Sequence, residues 1–249
     1  MGTLYLVSTP IGNLEDITQR AKRILGEVDL IACEDTRKTG MLLKKLSLST
    51  PKQVRPGSRS DLVRFISYYE ENELARIPHI IELLKQGKKV ALVSNAGTPT
   101  ISDPGFKLVR EALKEGIKVE AVPGASAVLT ALVVSGLPTD KFLFLGFLPK
   151  KAGKRKKILD SLPAKTTLIF FESPFRLLKT LNELKTLFGE IEIVLCRELT
   201  KIHEEIRREK VNQSIEHFEK TKPKGELTLL FRILPKSKHH LEADPVLSL

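Results

Sequence analysis

Thr9-Pro10-Ile11-Gly12-Asn13-Leu14-Glu15-Asp16 follows an apolar run at residues 4–7, and Ser94-Asn95-Ala96-Gly97-Thr98-Pro99 follows another at residues 90–93. Each turn stands between a short β-rich segment and a helix-like segment. Turns in this position lie at the carboxyl ends of buried parallel strands, where open α/β sheets bind their ligands. The two stretches therefore predict an enzyme whose small-molecule site is built from loops.

Strand-like and helix-like segments alternate along nearly the whole chain, which has 249 residues and is 41% hydrophobic. This alternation predicts an α/β fold rather than a helix bundle or a β-sandwich. We predict strands at residues 3–7, 28–33, 89–94, 118–122, 142–147, 167–171, 191–196 and 226–234. We predict helices at residues 15–25, 36–46, 78–87, 103–116, 125–135 and 175–188, and a further one that begins in the basic segment after residue 150.

A break in this pattern at Pro123-Gly124 divides the chain into two parts, each long enough for a core of its own. We therefore predict an N-terminal α/β domain at residues 1–122 and a C-terminal α/β domain at residues 123–234. Residues 235–249 are charged and contain proline, and we predict that they form a flexible tail.

Composition excludes several classes of protein. No apolar run reaches the roughly 18 residues of a membrane span, and the chain opens on a strand rather than on a signal peptide, so we expect a soluble cytoplasmic protein. Cys33 and Cys196 each end an apolar stretch and are interpreted as small buried hydrophobic residues, with a disulfide or a nucleophilic pair as the alternative. The five histidines show no metal-ligand spacing, and we predict no metal site.

The formal charge is +11, and the basic residues are unevenly placed. Two basic segments in an already basic chain favour a polyanionic partner, most simply RNA held through its phosphates, although a solvated surface remains the alternative. The candidate RNA-binding residues are Lys150, Lys151, Lys154, Arg155, Lys156 and Lys157 in one segment and Arg55 and Arg59 in the other. Few aromatic residues lie among them, so no stacking platform for single strands is predicted.

Common nucleotide and hydrolase motifs are absent from the sequence. No Gly-x-Gly-x-x-Gly follows a predicted strand and no Gly-x-x-x-x-Gly-Lys-Ser/Thr occurs, which argues against a dinucleotide dehydrogenase and a P-loop nucleotidase. No Gly-x-Ser-x-Gly elbow occurs either. What remains are strand-end loops rich in Gly, Pro, Ser and Thr.

Seven motifs in a fixed order resemble the ribosomal RNA small subunit methyltransferase I branch of the tetrapyrrole methylase superfamily. They are Ser8-Thr9-Pro10-Ile11-Gly12-Asn13-Leu14-Glu15-Asp16-Ile17-Thr18, Glu34-Asp35-Thr36-Arg37, Ser94-Asn95-Ala96-Gly97-Thr98-Pro99-Thr100-Ile101-Ser102-Asp103-Pro104-Gly105, Val122-Pro123-Gly124-Ala125-Ser126-Ala127, Phe171-Glu172-Ser173-Pro174-Phe175-Arg176, Arg197-Glu198-Leu199-Thr200-Lys201 and Lys224-Gly225-Glu226. The similarity spans about residues 3 to 234. It implies two α/β domains with S-adenosylmethionine (SAM) in the cleft between them, and a homodimer.

The resemblance also implies which residues contact SAM. They are Ile11 in the first loop, Ala96, Gly97, Thr98 and Ile101 in the second, Ser126 and Ala127 at the start of the following helix, and Glu172, Leu199, Gly225 and Glu226 farther along. Apolar walls with a few directed backbone groups suit an adenosine and a methionine zwitterion. The implied reaction is methyl transfer to the 2′-hydroxyl of a cytidine ribose in the decoding region of 16S rRNA, in the small ribosomal subunit.

A ribose hydroxyl is a poor nucleophile at neutral pH, so the enzyme must align it and assist the loss of its proton. The candidates are Glu34, Asp35 and Arg37 at one strand end and Glu198 and Lys201 at another. Our hypothesis is that Asp35 or Lys201 takes or orients the proton, while Arg37 and Arg176 hold phosphate or the motif itself. Structural ion pairs between loops are the alternative interpretation of each.

Two departures from the family pattern leave other functions open. The family's His-x-x-Asn-Glu is replaced by Tyr68-Tyr69-Glu70-Glu71-Asn72-Glu73, and Asn95 stands where Asp is common. One alternative function is a methyltransferase for a tetrapyrrole-like small molecule, against which the basic segments and the lack of a Gly-Asp-Pro turn at Gly97-Thr98-Pro99 count. The other is a noncatalytic SAM-binding factor of the ribosome.

Overall fold

The computed structural model describes residues 1–48 and 64–234. Within these residues the chain forms two compact units, one made of Met1–Ala131 with Cys196–Glu205 and the other made of Leu132–Leu195 with the chain from Ile206 onward. The predicted domain bounds at 122 and 234 stay predictions. The predicted tail at 235–249 lies outside the described residues.

The first unit is built on a parallel five-stranded sheet in the order β3-β2-β4-β1-β5. Its strands are β1 (Thr3–Val7), β2 (Leu30–Cys33), β3 (Arg64–Ser67), β4 (Lys89–Val93) and β5 (Lys118–Val122). Its helices are a single 3-10 turn (Leu14–Asp16), α1 (Gln19–Glu27), α2 (Thr36–Lys45), α3 (Glu73–Lys85) and α4 (Phe106–Lys114). Helix α5 (Ala127–Ser135) runs on from this unit into the second.

Helices cover both faces of this sheet, which explains the apolar runs in its strands. Ile31 packs with Ile24 of α1 on one face, and Ala32 packs with Leu84 of α3 on the other. A parallel strand buried on both faces needs apolar side chains in both directions. The arrangement leaves the loops at the carboxyl ends of the strands as the open edge of the sheet.

The second sheet is mixed, in the order β6-β7-β10-β8-β9, with β7 parallel to β6 and antiparallel to β10. Its strands are β6 (Phe142–Phe147), β7 (Thr167–Glu172), β8 (Glu192–Arg197), β9 (Glu205–Lys210) and β10 (Leu227–Arg232). Its helices are α6 (Ala152–Asp160), α7 (Leu177–Phe188) and α8 (Val211–Lys220). Phe170, Leu181, Phe218 and Phe231 share one core.

The predicted strands at 3–7, 118–122 and 142–147 coincide with β1, β5 and β6. The prediction that a helix begins at Pro78 is wrong, because α3 begins at Glu73 and contains Pro78. Its first turn is held from outside the helix, since the buried Glu73 accepts a hydrogen bond from Tyr68 Oη at 3.2 Å and pairs with Lys107 at 2.6 Å. These contacts stabilise a turn upstream of the proline that the sequence pattern does not reveal.

Cys33 and Cys196 are both buried, as predicted, and their sulfur atoms are not joined in a disulfide. Burial raises the pKa of the Cys33 thiol to about 11, so it stays protonated and is a poor nucleophile at neutral pH. In the part of the chain that the structure describes, no helix is long and apolar enough to span a membrane.

Candidate active site of the first unit

The Gly- and Pro-containing turns after β1 and β4 meet at the open edge of the first sheet. Thr9 N donates to Gly97 O at 2.9 Å, and Gly97 N donates to Thr9 O at 3.0 Å. This reciprocal pair joins the loop after β1 to the loop after β4, which are neighbouring strands. The two turns predicted to lie at strand ends are therefore in direct contact.

Side-chain hydroxyls tie a third loop to the first two. Thr98 Oγ1 donates to Ala125 O at 3.2 Å, in the loop after β5. The hydroxyl of Thr98 has a single proton, so its 3.0 Å contact with Ser8 Oγ is one in which Ser8 donates. Ser8 N in turn donates to Val122 O at 3.2 Å. The three loops after β1, β4 and β5 thus form one hydrogen-bonded group.

Gly97 is required at the centre of this group. Its φ is +80°, in the region that side chains disfavour, and an added Cβ would lie 3.3 Å from Ile11 Cγ2. Both effects keep the backbone of Gly97 bare and close to the first loop. Ile101, farther along the same loop, is exposed although it is apolar.

The segment after β8 lies against the first loop and belongs to the same unit. Thr200 Oγ1 accepts a hydrogen bond from Asn13 N at 3.0 Å, and a Cβ on Gly12 would lie 2.5 Å from Lys201 Cγ. Lys201 Nζ pairs with Glu198 Oε1 at 2.8 Å, and Leu199 between them is buried. The fold therefore brings the predicted residues Glu198, Leu199 and Lys201 to the loop that carries Ile11.

Asp35, a predicted proton acceptor, caps helix α2. Its carboxylate accepts from Arg37 N at 2.9 Å and from Lys38 N at 3.4 Å, and it also holds the Arg37 guanidinium at 3.3 Å. The hydrogen bonds from Arg37 lower the pKa of the Asp35 carboxyl, which makes it a weaker base. Arg37 keeps 88% of its side chain exposed, so its charge remains available to a phosphate.

Glu34, the residue before it, is in a different environment. Glu34 Oε2 accepts from Asn95 Nδ2 at 2.5 Å, while its Oε1 is buried and has no hydrogen-bond partner among the described residues. Burial, and then the charge of Asp103, raise the pKa of Glu34 to about 7. Burial also raises the pKa of Asp103. The sequence predicts a helix that begins at Asp103, but α4 begins at Phe106, and Asp103 lies beside Glu34 in the loop after β4.

Residues 68–73, where the chain departs from the family pattern, are joined to one another and to β3 by hydrogen bonds. Asn72 Oδ1 accepts from Tyr69 N at 2.8 Å, and Asn72 Nδ2 donates to Ser67 O at 3.1 Å. Tyr68 is fully buried against Glu73. The two residues that this chain keeps from the pattern, Asn72 and Glu73, therefore connect β3 to α3.

In the second unit, Glu172 is buried and both of its oxygens are engaged. Oε2 accepts from Thr180 Oγ1 at 2.6 Å, and Oε1 accepts from Ser173 N at 2.7 Å and pairs with Arg176 at 2.8 Å. Arg176 also donates to Leu148 O at 3.0 Å. Glu172 thus fixes the turn after β7, and its contact with SAM stays a prediction. Gly225 lies just before β10 with φ of +86°.

The first basic segment does not present all of its charges to solvent. Lys150, Lys151, Lys154, Lys156 and Lys157 are exposed on the turn before α6 and on the helix itself. Arg155 is only 1% exposed and pairs with Glu183 of α7 at 2.5 Å. Its guanidinium holds two helices together rather than facing a partner. Arg55 and Arg59 lie outside the described residues.

The fold and the joined loops define a class of protein. The chain belongs to the tetrapyrrole (corrin/porphyrin) methylase family, whose profile matches residues 3–214. This membership confirms the family resemblance, the two-domain α/β fold and the enzyme class, a methyltransferase.

Within this family, the chain is similar to individual proteins named ribosomal RNA small subunit methyltransferase I. The chain is 48% identical over 230 residues to the ribosomal RNA small subunit methyltransferase I of Thermotoga maritima, covering 92% of this chain and 98% of that protein. It is 46% identical to the protein of the same name from Halalkalibacterium halodurans, covering 92% and 75%.

Solved structures support the fold. The uroporphyrin-III-C-methyltransferase of Thermus thermophilus has a TM-score of 0.60 at 21% identity, over 95% of this chain and 100% of that one. A cobalt precorrin-4 methyltransferase has a TM-score of 0.62 at 18% identity, over 92% and 94%. At these identities the similarity concerns the fold alone.

Proposed function

We propose that this protein transfers a methyl group from SAM to the 2′-hydroxyl of a cytidine ribose in the decoding region of 16S rRNA. The observation that carries the proposal is the 48% identity to a ribosomal RNA small subunit methyltransferase I across 98% of that relative. The net charge of +11 agrees with a phosphate-rich substrate.

The joined loops of the first unit fit SAM. Ile11, Ala96, Gly97, Thr98, Ile101, Ser126 and Ala127 lie in or beside these loops, and the bare backbone of Gly97 offers hydrogen-bonding groups without a side chain in the way. Exposed Ile101 gives apolar surface that an adenosine would cover. Leu199 of the segment after β8 is proposed to contact SAM as well. Contacts of SAM with Glu172, Gly225 and Glu226 stay predictions from the family resemblance. SAM supplies an electrophilic methyl group on a sulfonium.

The residues of the chain then have to hold the acceptor hydroxyl and its neighbouring phosphates. We assign Arg37 and the exposed lysines of the first basic segment to phosphate contact, because their charges face solvent. Lys201, paired with Glu198 beside the first loop, is assigned to orienting the hydroxyl. Asp35 holds Arg37 in place.

The assembled small subunit is the proposed substrate, and the proposed working form is a cytoplasmic homodimer. One nucleotide has to be selected from a long RNA by its three-dimensional setting rather than by a short sequence code. Helix α5 supports the homodimer, since it carries no charged residue and leaves Val133 72% exposed, as expected of a face that another chain covers.

The test is transfer of labelled methyl from SAM to small ribosomal subunits purified from cells that lack this gene. We expect the label on a single cytidine of the decoding region. It should remain with the ribose when the base is removed. Subunits from cells that contain the gene are the matched control and should take up no label, because their site is already methylated. Label on a small molecule instead, or SAM binding without transfer to any RNA, would overturn the proposal.

A further inference from the structure

Glu34 and Asp103 form a carboxyl pair beside the loop proposed to hold SAM. Glu34 directly follows β2, and Asp103 lies in the loop after β4, the strand hydrogen-bonded to β2. Asn95, which donates to Glu34, immediately precedes the Ala96-Gly97-Thr98 turn. The hydrogen-bond partner of Glu34 therefore lies one residue from the joined loops, at the edge where a parallel sheet places its reacting groups.

We propose that Glu34 is the catalytic residue that accepts the proton of the attacking ribose hydroxyl, with Asp103 and Asn95 as the residues that position and poise it. The inference rests on the proposed function. It assigns the proton to a residue other than Asp35 and Lys201.

The hydrogen bonds around Glu34 leave it able to accept a proton. Asn95 is the donor to this carboxylate, through its side-chain amide to Oε2 at 2.5 Å and through its backbone, and a carboxylate oxygen has two lone pairs. Oε1 is buried with no hydrogen-bond partner among the described residues, so this oxygen remains able to take up a proton. Asp35 shows the opposite arrangement, with backbone and guanidinium donors on the same carboxylate.

The charges around Glu34 set its basicity near neutral pH. Asp103 lies in the loop after β4 and disfavours the ionised form of Glu34, while Lys38 of α2 and Asn95 favour it. Asp103 is itself half-buried, and burial raises its pKa while hydrogen bonding with Ser94 and Glu34 lowers it. Burial and the charge of Asp103 outweigh the other effects and bring the pKa of Glu34 to about 7. A general base is most effective when its pKa lies near the working pH.

The proposed step conserves charge. The hydroxyl oxygen forms a bond to the methyl carbon while the bond between that carbon and sulfur breaks, and its electron pair stays on the sulfur, which becomes a neutral thioether. The hydroxyl proton passes to the Glu34 carboxylate. One positive sulfonium and one negative carboxylate are thereby replaced by neutral groups, and no further reactant is needed.

Asn95 affects how readily the Glu34 carboxyl ionises. The amide of Asn95 donates to Glu34 without adding charge. Aspartate, which is common at this position in the family, would replace that donor by a second negative neighbour. Asn95→Asp is therefore expected to make Glu34 harder to ionise, and Asp103→Asn is expected to make it easier.

The experiment measures the single-turnover methylation rate of unmethylated small subunits at saturating SAM over about pH 5.5 to 9. The wild-type rate is expected to rise with slope one and to level off near the pKa of Glu34, about 7. Glu34→Gln should lower the plateau rate by at least about 100-fold, the range of general-base catalysis. Asn95→Asp should move the rise to higher pH, and Asp103→Asn should move it to lower pH.

SAM binding, measured by calorimetry, separates this role from a structural one. Glu34→Gln is expected to bind SAM with wild-type affinity, and its melting temperature should not fall, because the change removes a carboxyl that faces Asp103. Asp35→Asn is the matched control at the same strand end, and it should lower the melting temperature while leaving the pH of the rise unchanged.

Three results would overturn the inference. One is an active wild type with a Glu34→Gln rate within threefold of it. Another is a pH rise that neither Asn95→Asp nor Asp103→Asn moves. The third is an inactive wild type, which overturns the proposed function and, with it, this role of Glu34.

Discussion

Replacing Glu183 by alanine is expected to destabilise the second unit strongly, because it leaves a buried guanidinium without its carboxylate. Arg155 is 1% exposed, its Nη2 lies 2.5 Å from Glu183 Oε1, and its Nε has no hydrogen-bond partner among the described residues. Removing one partner of a buried pair costs about 3 to 5 kcal/mol. Glu183 is itself 29% exposed, so water can reach the vacated position and the lower end, about 3 kcal/mol, applies.

The same pair predicts an asymmetry between its two partners. Arg155→Met removes the buried charge and the unpartnered Nε together, and it leaves a carboxylate that can reach solvent, so we expect a cost below about 1 kcal/mol. Asp160→Ala is the matched control on the same helix. It breaks the exposed Lys156–Asp160 pair, which is expected to contribute no more than about 0.5 kcal/mol.

Thermal unfolding followed by circular dichroism, with urea titration as a second measure, tests these values. For a chain of this size about 3 kcal/mol corresponds to a fall in melting temperature of roughly 6 to 12 °C. Equal effects of Glu183→Ala and Asp160→Ala, or a larger loss in Arg155→Met than in Glu183→Ala, would refute the reasoning. Arg155→Met should also leave RNA affinity unchanged, since the guanidinium does not face a partner.

Four further predictions concern Gly97 in the joined loops, Tyr68 beside helix α3, Glu34 after β2, and two lysines of the first basic segment. Gly97→Ala should weaken SAM binding at least about tenfold in calorimetry. Gly87→Ala is the control and should leave the affinity unchanged. Both glycines have a φ near +80°, but an added Cβ would lie 3.3 Å from Ile11 Cγ2 at Gly97 and within 4 Å of no atom at Gly87. Equal affinities would remove Gly97 from the site. Tyr68→Phe should lower the free energy of unfolding, measured by urea titration, by about 1.5 kcal/mol, because a buried hydrogen bond to Glu73 is lost. Tyr69→Phe, at the exposed neighbouring residue, is the control and should leave that free energy unchanged. The folded-state pKa of Glu34 is raised from 4.5 to about 7, so its contribution to stability is present below pH 4.5 and is lost as the pH rises to about 7. Relative to Glu34→Gln, the wild type should therefore lose on the order of 3 kcal/mol over that interval, and a constant difference would contradict the assignment. Replacing Lys154 and Lys157 together by alanine should weaken RNA binding and reduce the slope of log affinity against log salt by about 1.5, with SAM affinity unchanged; a slope equal to that of the wild type would return these lysines to the role of solvated surface.

The sequence predicts the strands of the first sheet well where burial on both faces produces a run of apolar residues. β1 and β4 are apolar runs that end in Gly- and Pro-containing turns, so their position, and the place of both turns at carboxyl ends of strands, follow from the residues alone. The meeting of the two turns depends on the adjacency of β1 and β4 in the sheet. β9 is not predicted, because Glu205-Ile206-Arg207-Arg208-Glu209-Lys210 is a charged strand at the edge of the second sheet. Charge protects such an edge from pairing with other chains and hides it from a hydrophobic pattern.

The candidate site is predicted less completely, because spacing does not show which polar side chains are already engaged. Asp35 followed by Thr36 and Arg37 matches a helix N-cap as well as it matches a catalytic motif, and the structure shows the cap. Arg155 stands among lysines in the sequence, yet the helical turn directs it inward to Glu183. Glu34 and Asp103 are distant in sequence, and their proximity depends on the adjacency of β2 and β4.

The strand order of the first sheet has a consequence for how the protein is made. β1 emerges first from the ribosome, yet both of its partners, β4 and β5, come from residues 89–122, so it waits unpaired while β2 and β3 are synthesised. The strip Cys196–Glu205, which lies against Gly12, is completed only after most of the second unit exists. A nascent chain stopped at residue 131 would lack that strip. The loops that carry the chemistry are therefore finished late, and the folding rate of this unit is set by contacts between distant parts of the chain.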